Sequence, residues 1–212
     1  MYLSWATFFE GGTDAQYFNV IIPKILEEIL RTRGRRPYDV ALAPSVEFSR
    51  YSREFEVAAQ KICEREQEFH ILFLHADTGG RALENQIHNR RESLVRLCTE
   101  LCQLNERRFV FLSPKKELEA WALSDPKAIA TALGVRQLVD ERLPASAVQA
   151  ERLDDPKALL HALVSAQTRR GSPQILVRIA QEHDLAVLRR LPSFKAFEES
   201  LCNALTDMGC LE

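Results

Sequence analysis

The chain lacks most of the features that would settle its class at a glance. It has no apolar run long enough to cross a bilayer, and the opening MYLSWATFFEGG carries no basic leader and reaches an acid too soon for a signal peptide. The expected setting is therefore cytoplasmic, with no membrane attachment. Glycine is sparse, at 8 of 212 residues, and no low-complexity tract occurs, which excludes a flexible or disordered polymer. Positive charge is not in excess: the formal net charge is -2, so nucleic acid can be met only by a local basic patch. The 5 cysteines are odd in number and form no CxxC pair, which argues against a disulfide framework and a zinc ribbon. Cys98 and Cys102, one helical turn apart, read as buried reduced thiols, metal binding being the alternative. There is no Walker A loop, GxSxG elbow, HExxH or GxGxxG, so P-loop NTPases, α/β-hydrolases, zincins and dinucleotide enzymes lack their physical requirements.

What is present is an ordinary folding composition, 46% hydrophobic and 27% charged. Residues 2–9 form a nearly unbroken apolar, β-prone run, as expected of a strand covered on both faces in a parallel sheet. Helical spacing follows, with Phe18, Ile22, Ile25 and Ile29 on one stripe. Thr13 and Gln16 have the form of a capping box, and Pro23 predicts a bend or break. Further strands are predicted at 38–43, 69–74 and 108–112. Helices are predicted at 51–67 and 83–104 and around Trp121. Beyond about residue 125 only helical signals occur; Asp125-Pro126 and Asp155-Pro156 each read as an N-cap followed by the first helical residue. The sequence thus predicts an α/β domain over 1–124, with a mainly parallel sheet flanked by helices, and a helical section over 125–212 packed on it.

Ligands of such sheets meet the loops beyond the carboxyl ends of the strands. In FFEGGTD, Glu10 follows the first strand; in HADTGG, His75 and Asp77 follow the third. Both loops carry glycine pairs, Gly11-Gly12 and Gly79-Gly80, which let a backbone approach a ligand and offer amide groups to a phosphate. If the two strands are neighbours, Glu10, His75 and Asp77 converge, and carboxylates so gathered call for a proton or a divalent ion. Arg81, Arg90 and Arg91 follow the second loop and are candidates for phosphate contacts. Arg33, Arg35 and Arg36 form a second basic cluster, expected at the other end of the sheet as surface or partner contacts.

FFEGGTDAQYF followed by a strand ending in HADTGG resembles the Toprim domain, whose signature pairs a glutamate in a strand-to-helix turn with a later DxDxxG-type acidic loop. Glu10 matches the glutamate, Asp77 the second acid, Gly80 the closing glycine, and Glu119 in ELEAW a third acidic position. The stretches PKKELEAWALSDPKAI, DPKALLHAL and IAQEHDLAVLRRLPSFKAFEESL extend the resemblance to a bacterial family of Toprim-like proteins found beside ABC-type ATPases, in the manner of OLD nucleases and phage-defence modules. The resemblance implies phosphodiester chemistry on nucleic acid with magnesium or manganese, Glu10 as general acid or base or as a ligand, and Asp77 as a ligand, in a defence or toxin module with an ATPase partner. It departs at His75, where the pattern has its first aspartate. Magnesium prefers oxygen ligands whereas imidazole suits manganese, iron, nickel or zinc, so the departure leaves three readings: another metal, a site of Glu10, Asp77 and Glu119, or a Toprim fold that has lost catalysis and serves as a binding subunit. Plainer roles stand beside these. Glu10 and Asp14 suit the positive end of a helix, His75 a structural hydrogen bond, and Glu119 and the arginines a solvated face.

Overall fold

In the computed structural model, residues 1–9, 11–51, 54–75, 81–167 and 172–212 are described, apart from the side chains of 81–90, 167, 172 and 173. The run at 2–9 divides at Ser4 into β1 (Tyr2–Leu3) and β2 (Trp5–Phe9). A 22-residue helix α1 (Gly12–Arg33) follows, then β3 (Asp39–Val40), β4 (Val46–Glu47), α2 (Phe55–Glu64), β5 (Ile71–His75), α3 (Arg81–Cys102) and β6 (Phe109–Leu112). The rest is helical: α4 (Leu118–Leu123), α5 (Pro126–Leu133), α6 (Ala147–Ala150), α7 (Pro156–Gln167), α8 (Ser172–Glu182), α9 (Leu185–Leu188) and α10 (Pro192–Asp207).

Among the described residues the named strands pair in parallel, in the order β4-β2-β5-β6, with β1 paired separately to β3, and one isolated antiparallel bridge joins Gly34 to Leu211. The central strands β2 and β5 are buried along their whole length, which is why they read as continuous apolar runs. Alternation then assigns their faces. Trp5, Phe9, Ile71, Phe73, Val110 and Leu112 pack with α1 and the C-terminal helices, while Ala6, Phe8, Leu72, Leu74 and Phe109 pack with α2 and α3. The first of these cores runs from Leu3 to Leu211, so the helices after residue 125 share their interior with the sheet.

Three local expectations change. Thr13 does not cap α1; Gly11 is the N-cap, without a side-chain hydrogen bond, and Thr13 lies inside the first turn. Pro23 does not split the helix, which runs unbroken past it with the proline buried in the α1 stripe. Cys102 is not a free thiol: α2 and α3 both end where their last turns meet, and Cys63 and Cys102 are joined there as a disulfide with Cα atoms 5.8 Å apart. Asp125 and Asp155 cap α5 and α7 as expected, each accepting from the backbone N–H of the third residue on.

Candidate functional site at the carboxyl rim of the sheet

In-register pairing sets Phe9 opposite His75 and His75 opposite Leu112, so β2, β5 and β6 end level with one another at one rim. Glu10, Asp77, Gly79 and Gly80 follow those ends in the chain but lie outside the described residues, as does the side chain of Arg81. Gly11 and Gly12 open α1 at the same rim.

His75 is 1% exposed and sits on the α1 face of the sheet. Its ring lies 4.7 Å from that of Phe18 and 6.1 Å from that of Phe9, centroid to centroid. Nδ1 is 3.0 Å from the carbonyl oxygen of Leu112, and since a carbonyl only accepts, Nδ1 carries the proton of that bond. Nε2 is therefore the nitrogen directed toward Asp14, whose Oδ2 lies 3.6 Å away. Asp14 reaches it by folding back from the first turn of α1, over the N-cap. A Cβ added at Gly11 would stand 2.5 Å from Asp14 Oδ2, so glycine there leaves room for the carboxylate. Asp14, read from sequence as an acid serving the helix end, thus also faces the histidine.

From the opposite face Arg91 reaches the same rim. Its Nη1 donates to Ser113 Oγ at 2.7 Å, just past β6, and its guanidinium lies over the Phe111 ring at 5.9 Å. Glu119 is in the first turn of α4 and is 9% exposed. It does not join His75 and Asp14: among the described residues no three His, Cys, Asp or Glu side chains are grouped to hold an ion. The loop before α4 is held to the helical section instead, with Lys116 Nζ donating to the Leu153 carbonyl at 2.6 Å and Glu117 Oε2 accepting from Lys157 N–H at 3.3 Å. Trp121, expected in the core, is fully buried against Phe18 and Phe194.

Chemically, an imidazole whose other nitrogen donates to a backbone carbonyl is in the arrangement of a metal-binding histidine. With metal-to-nitrogen and metal-to-oxygen bonds of about 2.0–2.2 Å, Nε2 and Oδ2 at 3.6 Å are within the span that two ligands of one ion share. The same pair would form a partly buried ion pair if the ring were protonated.

Fold and rim together define an α/β protein with a mainly parallel sheet and its candidate site at the strands' carboxyl ends. Over residues 9–202 the chain matches a family described as Domain of unknown function (DUF4276), and it belongs to that family. No curated protein and no solved structure matches it. Among the described residues no helix is long and apolar enough to cross a membrane.

Proposed function

We propose that this protein is a divalent-metal-dependent, Toprim-like enzyme that cleaves phosphodiester bonds of nucleic acid within a bacterial defence or toxin module, beside an ABC-type ATPase partner. The observation that supports this reading is the approach of Asp14 Oδ2 to His75 Nε2 at the rim where β2 and β5 end in register, next in sequence to Glu10 and to Asp77. An acid and an imidazole form a mixed donor set that suits manganese better than magnesium. When bound, the ion supplies neutralisation of phosphate charge and a more acidic water. In this reading His75, Asp14 and Asp77 are ligands, Glu10 is the general acid or base, and Arg91 holds a phosphate oxygen. Leu112 fixes the tautomer and ring plane of His75 through its carbonyl.

A second reading, a non-catalytic subunit that binds a protein partner, draws support from the burial of His75 between Phe9 and Phe18, an aromatic setting that also suits a purely structural histidine. One experiment divides the two. Purified protein is incubated with plasmid DNA or RNA in manganese or magnesium, alongside Glu10→Gln and Asp14→Asn. On the enzyme reading both variants lose activity by about 10²-fold or more at an unchanged melting temperature. Equal cleavage by wild type and variants, or the absence of manganese binding in calorimetry, would remove the enzyme reading.

A further inference from the structure

Helix α1 starts at the rim and, at 1.5 Å per residue over 22 residues, ends about 33 Å away. There the chain turns at Gly34, where any Cβ would collide with the Leu30 carbonyl, and runs through Arg35-Arg36-Pro37 into β3. A groove of about 790 Å³ lies at this turn, with Leu30, Tyr38, Val40 and Leu42 among its lining and Arg31 and Arg36 on its wall. Glu27 and Asp39 line it as well.

Three observations give the groove a direction. First, β3 is an open edge. The N–H groups of Asp39 and Ala41 donate to the carbonyls of Met1 and Leu3, at 2.9 and 3.0 Å, so the intervening N–H and C=O of Val40 point away from β1. Among the described residues no strand pairs with that side. Second, Leu42, which lines the groove beside this edge, is 76% exposed. Third, Arg31, Arg35 and Arg36 are all exposed, and none has a carboxylate within 4.0 Å among the described residues; Arg33 turns instead to Cys202 Sγ in the neighbouring cleft, beside Glu198 and Glu199. Other arginines do have carboxylate partners: Arg65 with Glu68, Arg107 with Asp207, Arg142 with Asp140, Arg189 with Glu28 and Glu198. With Arg35 next to the groove, three such cations against the two groove acids leave this end slightly positive.

We propose that this groove docks an extended acidic segment of a partner protein, which adds as a strand to the free edge of β3. Backbone pairing at Val40 supplies register, Leu42 and Tyr38 receive alternate apolar side chains, and the arginines receive carboxylates between them. A nucleic acid backbone would use the arginines alike but has no use for a strand edge and an apolar floor.

The test is a selection of displayed short random peptides on the immobilised full chain, followed by fluorescence anisotropy with the selected peptides. Expected are peptides in which carboxylates alternate with apolar residues. Their binding should weaken about tenfold or more in Arg31→Glu/Arg36→Glu and in Leu42→Asp, both folded by circular dichroism, and a single-stranded DNA oligonucleotide should not displace them. No enrichment over the Leu42→Asp protein, affinity indifferent to the arginine changes, displacement by the oligonucleotide, or a dimer in sedimentation that Leu42→Asp dissolves would each overturn the proposal. Manganese binding at the far rim should be the same in these variants, which separates this proposal from that of the rim site.

Discussion

Acidification from pH 6.5 toward 4 is expected to destabilise this protein chiefly through one histidine. His183 is 2% exposed, between α8 and α9, and its ring joins the two halves of the chain. Its tautomer follows from hydrogen-bond accounting. Ser124 Oγ donates to the Trp121 carbonyl at 2.7 Å, which uses the hydroxyl hydrogen. Its 3.2 Å contact with His183 Nε2 is therefore a bond in which the imidazole N–H donates. That leaves Nδ1 as an acceptor for the Tyr17 hydroxyl of α1, at 2.8 Å. The neutral ring is fully satisfied, and a second proton would meet the Tyr17 O–H head-on. Lys24 reinforces the same junction by donating to the carbonyls of Ala180, Gln181 and His183 at 2.9–3.1 Å, closing the C-terminal end of α8 onto α1.

Burial pushes the His183 ring down to about 4 from its ordinary 6.5; Asp125 opposes this, Lys24 adds to it and Asp184 opposes it. The unfolded chain thus binds a proton that the folded chain refuses between pH 6.5 and 4. Stability is complete above 6.5 and is lost as the pH falls through that window. At about 1.4 kcal/mol per pH unit, the loss is about 3 kcal/mol. The assay is urea unfolding of wild type and His183→Gln across pH 7.5 to 4.5. Glutamine keeps hydrogen-bonding capacity without the charge, so the wild type should lose about 3 kcal/mol more than the variant on acidification. His70, itself held down by burial and by Arg108, acts in both proteins and cancels in the difference. Parallel pH profiles, or an NMR titration placing His183 near 6.5 in the native state, would refute the reasoning.

Two further perturbations test other parts of the structure. The Cys63–Cys102 bond closes a loop of sequence separation 39, worth about 4 kcal/mol by chain entropy, or about 10 °C of melting temperature for a chain of this size. Cys63→Ser, or a strong reductant, should lower the melting temperature by that order, and thiol titration of the denatured unreduced protein should find three free thiols. Five free thiols and no response to reductant would contradict the pairing and favour the reduced state expected of a cytosolic protein. Gly11→Ala should cost no more than on the order of 1 kcal/mol as an N-cap change, because φ of -117° suits alanine, yet its methyl would displace the Asp14 carboxylate from His75. Manganese affinity, read by calorimetry, should fall by about 10-fold or more; undiminished affinity would take Asp14 out of the site.

How much of this was readable in the one-dimensional chain depends on the distance over which each feature is decided. Strands β2 and β5 announce themselves because burial on both faces forces every residue to be apolar, and α1 does so because its stripe repeats every turn. The level ends of β2 and β5, which set His75 opposite Phe9, follow from the same parallel order. Asp14 was hidden for a different reason: an acid in the first turn of a helix is already explained by the helix dipole, so nothing local requires a second use. The only hint was the glycine before it, whose missing Cβ makes space that a cap alone does not need. Cys63 with Cys102, separated by 39 residues, and Tyr17 with His183, separated by 166, leave no local trace at all, since each pairing is created by how helices stack on the finished sheet. The boundary drawn near residue 125 is a case of the same limit. Periodicity does change there, from strand-and-helix to helix alone, but Tyr17, Ser124 and His183 meet in one buried hydrogen-bonded cluster across it. The helical section therefore supplies part of the interior that covers α1 and holds it against the sheet, and through α1 it bears on the placement of Asp14 at the rim.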